Sequence, residues 1–142
     1  WHETLQNDAI TNHRVVLPSG RYYNFNNVFR MRYGGVSNST AIKNYPVQGF
    51  ATADLLPIAL IKLKKLLTDR KMQSIICNTV HDSIIIDVYP DEQDLAVEVM
   101  KEAMFSLPEE CKKRYNVDYD MPIGIEIKIG NNWLDMKGIY KS

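Results

Sequence analysis

Long apolar runs are absent from this 142-residue chain; none approaches the ~20 residues that would span a bilayer. The N-terminus also lacks the pattern of a secretory signal. Cysteine is scarce. Cys77 and Cys111 stand far apart and form no CxxC pair, so there is no zinc-finger spacing. Both read as free thiols in a reducing compartment, with Cys77 inside a β-rich run. An initiating methionine is missing too: the chain opens on Trp1, as expected of a processed chain or a piece of something longer. What remains, 45% hydrophobic and 24% charged residues, is ordinary for a globular protein of one domain over residues 1–142.

Acidic residues are missing from one long stretch. Net charge is zero, which argues against an autonomous nucleic-acid binder, yet Ala9 to Ala53 contains no aspartate or glutamate. Arg14, Arg21, Arg30, Arg32 and Lys43 fall there, interleaved with Tyr22, Tyr23, Phe25, Phe29, Tyr33 and Tyr45. Such a segment is either a phosphate-contacting surface or a loop-rich region whose aromatics pack inward.

Along the chain, a helix end precedes "RVVLPSGRYYNF", which reads as a hairpin turning through Pro18, Ser19 and Gly20. "RYGGVSNSTA" reads as a loop. From Ala41 to Leu67 apolar residues recur at spacings of three and four, and an interior Pro57 predicts a kink. Two β-rich runs, Ser74–Val80 and Ile84–Val88, meet at His81–Asp82. Asp91 is placed to cap a helix reaching Phe105, and residues 106–122 read as a charged connection. "IGIEIKIG" alternates strictly, so one face is buried and the other wet. The expected fold is α+β: the three strands form one antiparallel sheet with helices on one face, plus an N-terminal hairpin region.

"NTVHDSIIIDVYP" raises the chemical question. A carboxylate held at a stiff strand turn, reachable by solvent, suits a hard cation such as Mg²⁺ that keeps phosphate and water ligands. A plain structural turn explains Asp82 equally well. A triad of His81, Asp82 and Ser83 fails, because neighbouring strand residues point to opposite sides. A His–Asp phosphohydrolase needs more histidines than His2 and His13 supply, and "LPSGR" lacks the spacing and lysine of a P-loop. In "NYPVQGFATADLLPIA", Asn44 and Gln48 lie four apart, so on a helix their amides share a face. Amides of this kind suit base edges in a minor groove, where every pair presents acceptors at similar positions; a helix cap and a surface glutamine are the simpler alternative.

Together these stretches resemble family A DNA polymerases, those related to bacterial DNA polymerase I. "NYPVQGFATADL" is similar to that family's N-x-P-x-Q-G-x-A-A-D segment, and "TVHDSIIID" resembles its motif C. "IEIKIGNNWLDMK" resembles its closing G-x-x-W segment, and "LPSGRYYNF" its upstream hairpin. The wording around Gly49, Phe50 and Pro57 is closer to bacteriophage members than to cellular ones.

The resemblance implies the C-terminal palm of a template-directed polymerase. Asp82 would be one of two aspartates holding a pair of Mg²⁺ ions, and His81 would lie close to the primer terminus. Asn44 and Gln48, with Arg14 and Arg21, would contact primer-template DNA, and the nucleotide substrate would be a dNTP. A cytoplasmic setting, a host's if phage-encoded, would follow, with no membrane partner.

Departures remain. Ser83 replaces an acidic residue, and Thr40 replaces an arginine. The family's other metal aspartate (motif A) and its nucleotide-gripping helix (motif B) have no counterpart here. The chain is therefore expected to be inactive until completed by the remaining polymerase portion, in the same chain or another. The alternative is a non-catalytic, palm-like DNA-binding or scaffolding module.

Overall fold

The computed structural model describes every residue, Trp1–Ser142, and the protein is α+β. The chain divides into two compact units, Trp1–Leu56 and Pro57–Ser142.

In the first unit, α1 (His2–Thr11) leads into an antiparallel hairpin of β1 (Arg14–Val16) and β2 (Tyr22–Asn24). The expected turn is present. The Gly20 N–H donates to the Leu17 carbonyl at 2.9 Å, and glycine tolerates the φ of +85° this needs. Leu5 and Ala9, one helical turn apart, join Val15, Phe25, Val28, Val36 and Ile42 in a buried cluster. Each fully buried aliphatic side chain of this kind contributes roughly 1.5–3 kcal/mol.

The helical stretch expected over 41–67 exists, but it is not one regular helix. It comprises α2 (Ser39–Gln48), a π-helical turn (Gly49–Leu55) and α3 (Leu56–Asp69). The irregularity lies near Pro57, in the seven residues that end two positions before it. Proline offers no N–H to the carbonyl four residues back, that of Ala53. Arg21 Nη2 supplies a donor to that carbonyl at 3.4 Å. The Leu56 N–H donates five residues back, to Ala51. Such π turns recur at functional sites.

The second unit contains α3, the hairpin β3 (Ile75–Val80) and β4 (Ser83–Asp87), a 3₁₀ turn (Pro90–Glu92) and α4 (Gln93–Phe105). It continues through α5 (Leu107–Tyr115), β5 (Glu126–Ile129) and β6 (Lys137–Lys141). Leu63 and Leu67 of α3 pack with Val99 and Ala103 of α4, and Ile76, Ile84 and Ile86 close over them. A neighbouring cluster joins Ile58, Ala59 and Leu107 with Ile84, Met104 and Ile123.

Three expectations need correction. The strands do not make one sheet; they form three two-stranded sheets, β1–β2, β3–β4 and β5–β6. The alternating segment pairs with β6, its neighbour across a short loop, because closing a short loop loses little chain entropy. In that loop Asn132 Oδ1 accepts from the Leu134 N–H at 2.8 Å, a local turn that competes well with distant pairing. Residues 106–122 are not merely a connection, since they include α5. Pro108 there is a helix starter in the first turn, Glu109 and Glu110 follow it, and Lys112, Lys113 and Arg114 occupy the last turn. Asp91 does not cap α4. The helix is entered through the 3₁₀ turn, and Glu92 bends away to accept from the Ser74 hydroxyl at 2.6 Å and the Gln73 and Ser74 N–H groups at 2.8 Å. Those bonds, the Ser74 hydroxyl first, hold the Glu92 carboxyl below its ordinary value.

Candidate functional site

His81 and Asp82 are the two central residues of the β3–β4 turn, closed by the Val80–Ser83 pair. His81 takes φ +55°, a left-handed conformation that histidine adopts more readily than most residues. Both side chains are exposed, and neither has a hydrogen-bond or ion-pair partner in the chain. The strand beneath them is stiff because Ile84 and Ile86 are packed against the α3–α4 core. A register shift at Cys77 bulges β3, and the Cys77 thiol faces the Ile85 carbonyl at 3.5 Å. Asp82 thus stands on a fixed base with its oxygens in water. It also borders a cleft of about 730 Å³ lined by Ile84, Ile85, Ile127, Trp133 and Met136.

A divalent cation can be tested against these residues. No three His, Cys, Asp or Glu side chains converge anywhere in the chain. The residues present do not make a cation site by themselves; an ion at Asp82 would need its remaining ligands from phosphate oxygens, water and a carboxylate outside these residues.

In the first unit, Asn44 and Gln48 lie one turn apart on α2, both exposed, while Ile42 and Pro46 turn into the protein. Neither amide has an intramolecular partner. Gly49 follows directly and is buried. A Cβ there would meet Tyr23 Cζ at 2.9 Å, so only glycine lets the β2 tyrosine lie across the start of the π turn.

Arg14 and Arg21 behave differently from each other. Arg14 is exposed on β1, its guanidinium 6.0 Å from the Tyr22 ring centre. Arg21 is engaged within the protein. Its Nε donates to Asp54 Oδ1 at 2.9 Å, and the Ser19 hydroxyl donates to Asp54 Oδ2 at 2.6 Å. Asp54 is only 5% exposed, and Arg21 46%. This bridge ties the β1–β2 turn to the π turn. Asp54 and Ser19 escaped sequence reasoning, although one signal was available: Asp54 ends the acid-free stretch while interrupting an apolar helical pattern.

The first unit thus presents two exposed amides on α2 and a basic, aromatic hairpin, and the second presents an exposed carboxylate at a strand turn. The sequence profile of DNA polymerase family A matches residues 1–135, and the chain belongs to that family. DNA polymerase I of Lactococcus lactis subsp. cremoris is 32% identical over 130 residues, which is 92% of this chain and 13% of that protein. The DNA polymerase of Bacillus phage SP01 is 36% identical over 96 residues, 65% of this chain and 10% of that protein. Thermostable DNA polymerase I of Thermus filiformis is 33% identical over 94 residues, 66% of this chain and 10% of that protein. The chain thus spans no more than 13% of the length of these relatives.

Proposed function

We propose that this chain is the C-terminal palm portion of a template-directed DNA polymerase, working on primer-template DNA and dNTPs once the remaining polymerase portion completes it. Family membership supports the reading at its coarsest level. The observation that carries it is Asp82, a carboxylate fixed at a strand turn, open to water and without an internal partner.

In this reading Asp82 contributes one ligand to the Mg²⁺ pair and a second aspartate comes from the completing portion. When bound, the ions activate the primer hydroxyl and offset the charge of the triphosphate. Asp82 holds its negative charge at a fixed point, so little reorganisation is needed as the phosphate reacts. Asn44 and Gln48 offer amide donors to the minor groove, where purine N3 and pyrimidine O2 accept in every base pair. Such contacts sense pair shape without reading sequence. His81 adjoins the primer terminus. The wording at Gly49, Phe50 and Pro57 supports a phage-type member.

Primer extension decides the matter. The chain is combined with a polypeptide supplying the missing aspartate and nucleotide-binding helix, and Asp82→Ala should lower extension by about 100-fold or more. Extension unchanged by that substitution would refute the metal role. The rival, a non-catalytic DNA-binding module, predicts salt-dependent primer-template binding with no Mg²⁺ effect and no extension in any combination.

A further inference from the structure

A second, smaller hairpin in the first unit, Phe29–Ser37, plays no part in the function proposed above. Its two feet are anchored: Val28 and Val36 are buried in the unit's core. Arg30 bridges to Val36, and the Phe29 N–H donates to Ser37 Oγ at 3.0 Å. The Met31 N–H donates to the Gly35 carbonyl and the Gly34 N–H to the Met31 carbonyl, both at 3.1 Å. Gly34 and Gly35, at φ +85° and +83°, close the tip in a conformation that side chains resist. The hairpin is thus built rather than loose.

What it carries at the tip is unusual for a surface turn. Tyr33 is 94% exposed and Met31 beside it 47%, while Phe29, at the foot, is 60% exposed. Arg32 is exposed and has no carboxylate partner, while Arg30 is occupied by Asn7 Oδ1 at 2.6 Å. The hairpin itself carries no acidic residue and lies within the acid-free stretch from Ala9 to Ala53. An anion with flat apolar faces complements this tip: Arg32 meets a phosphate and Tyr33 stacks on a base. Bases within a duplex have both faces covered by their neighbours, so the ring can stack only on an unpaired base. We infer that the Phe29–Ser37 hairpin is a binding site for single-stranded nucleic acid, the unpaired template strand beyond the primer-template junction. The polymerase reading enters only in naming which strand.

Fluorescence anisotropy of the 142-residue chain tests this on three labelled DNAs: a blunt duplex, the same duplex with a 5′ overhang, and the overhang strand alone. Tyr33→Ala should weaken binding to the two DNAs with unpaired bases by about 5- to 100-fold and leave the blunt duplex unchanged. Tyr33→Phe should retain binding, because the ring is kept. Arg32→Ala should reduce the salt dependence by about one counterion. Circular dichroism of each variant establishes that the fold is intact. Equal losses on all three DNAs, no loss on any, or no overhang preference in the parent chain would overturn the inference. An absence of binding to every DNA would also overturn it and assign the hairpin to a protein partner. Gln48→Ala on the blunt duplex separates this from the polymerase reading. If that variant has no effect while the Tyr33 pattern stands, the duplex-tracking role fails and the hairpin's role survives.

Discussion

Removing the Arg21 guanidinium should destabilise the first unit more than removing its partner does. Asp54 is almost wholly buried and holds two donors, whereas Arg21 is about half in water. Arg21→Ala leaves a buried carboxylate with only the Ser19 hydroxyl. Stripping a partner from a fully buried pair costs about 3–5 kcal/mol, but water reaching the vacated space on the exposed side offsets part of that. We expect a loss of about 2–3 kcal/mol. Asp54→Ala leaves a guanidinium that water can solvate and a hydroxyl that can turn outward, so its cost should be about 1–2 kcal/mol. Asp54→Asn, which keeps an acceptor without the charge, should fall below the alanine variant. Urea unfolding of the three variants and of the double variant gives the coupling directly, because the double should cost less than the sum of the singles. Three single variants each within about 0.5 kcal/mol of the parent would refute the reasoning and reduce the bridge to an ordinary surface ion pair.

Glu92 gives a pH prediction with a definite sign. Its carboxyl is held below the usual 4.5 by the Ser74 hydroxyl and the Gln73 and Ser74 amides, so the folded state binds a proton less readily than the unfolded one. The stability it contributes is complete above that ordinary value and is lost as pH falls through the lowered one. Glu92→Gln should therefore flatten the fall in urea midpoint on acidification below pH 4.5, and an unchanged slope would count against it. Gly49→Ala forces a methyl group against Tyr23 and should cost about 1–3 kcal/mol by thermal unfolding. Trimming the neighbour with Tyr23→Phe should recover part of that loss; no recovery would show that the backbone, not the ring, is the obstacle.

Local signals in this sequence were legible where the physics is local. The β1–β2 hairpin was marked by Pro18, Ser19 and Gly20, and the turn at His81–Asp82 by the abrupt pause between two β-branched runs. The extent of α4 to Phe105 and its buried Ala96, Val99 and Ala103 followed from their spacing. Partner choice between strands was not legible, since alternation in Ile123–Ile129 specifies a face without specifying a neighbour. Pro108 was ambiguous: proline both ends helices and starts them, and only the acid-then-base order of α5 distinguishes the two. The candidate site divides along the same line. Asn44 and Gln48 are exposed one turn apart on α2, and His81 and Asp82 are exposed in the turn between β3 and β4. The capture of Arg21 by Asp54 depends on a contact between residues 33 positions apart, which no window of neighbouring residues contains.

A ribbon of two strands satisfies only half of its backbone amides and carbonyls, and this protein is built from three such ribbons. In β5 and β6 the lysines Lys128, Lys137 and Lys141 act as gatekeepers that discourage another chain from zipping alongside. Along β4 the three consecutive isoleucines have only Ser83 and Asp87 at their ends. Self-association of the purified chain should therefore begin there, and a lysine in place of Ile85 is the change most apt to suppress it.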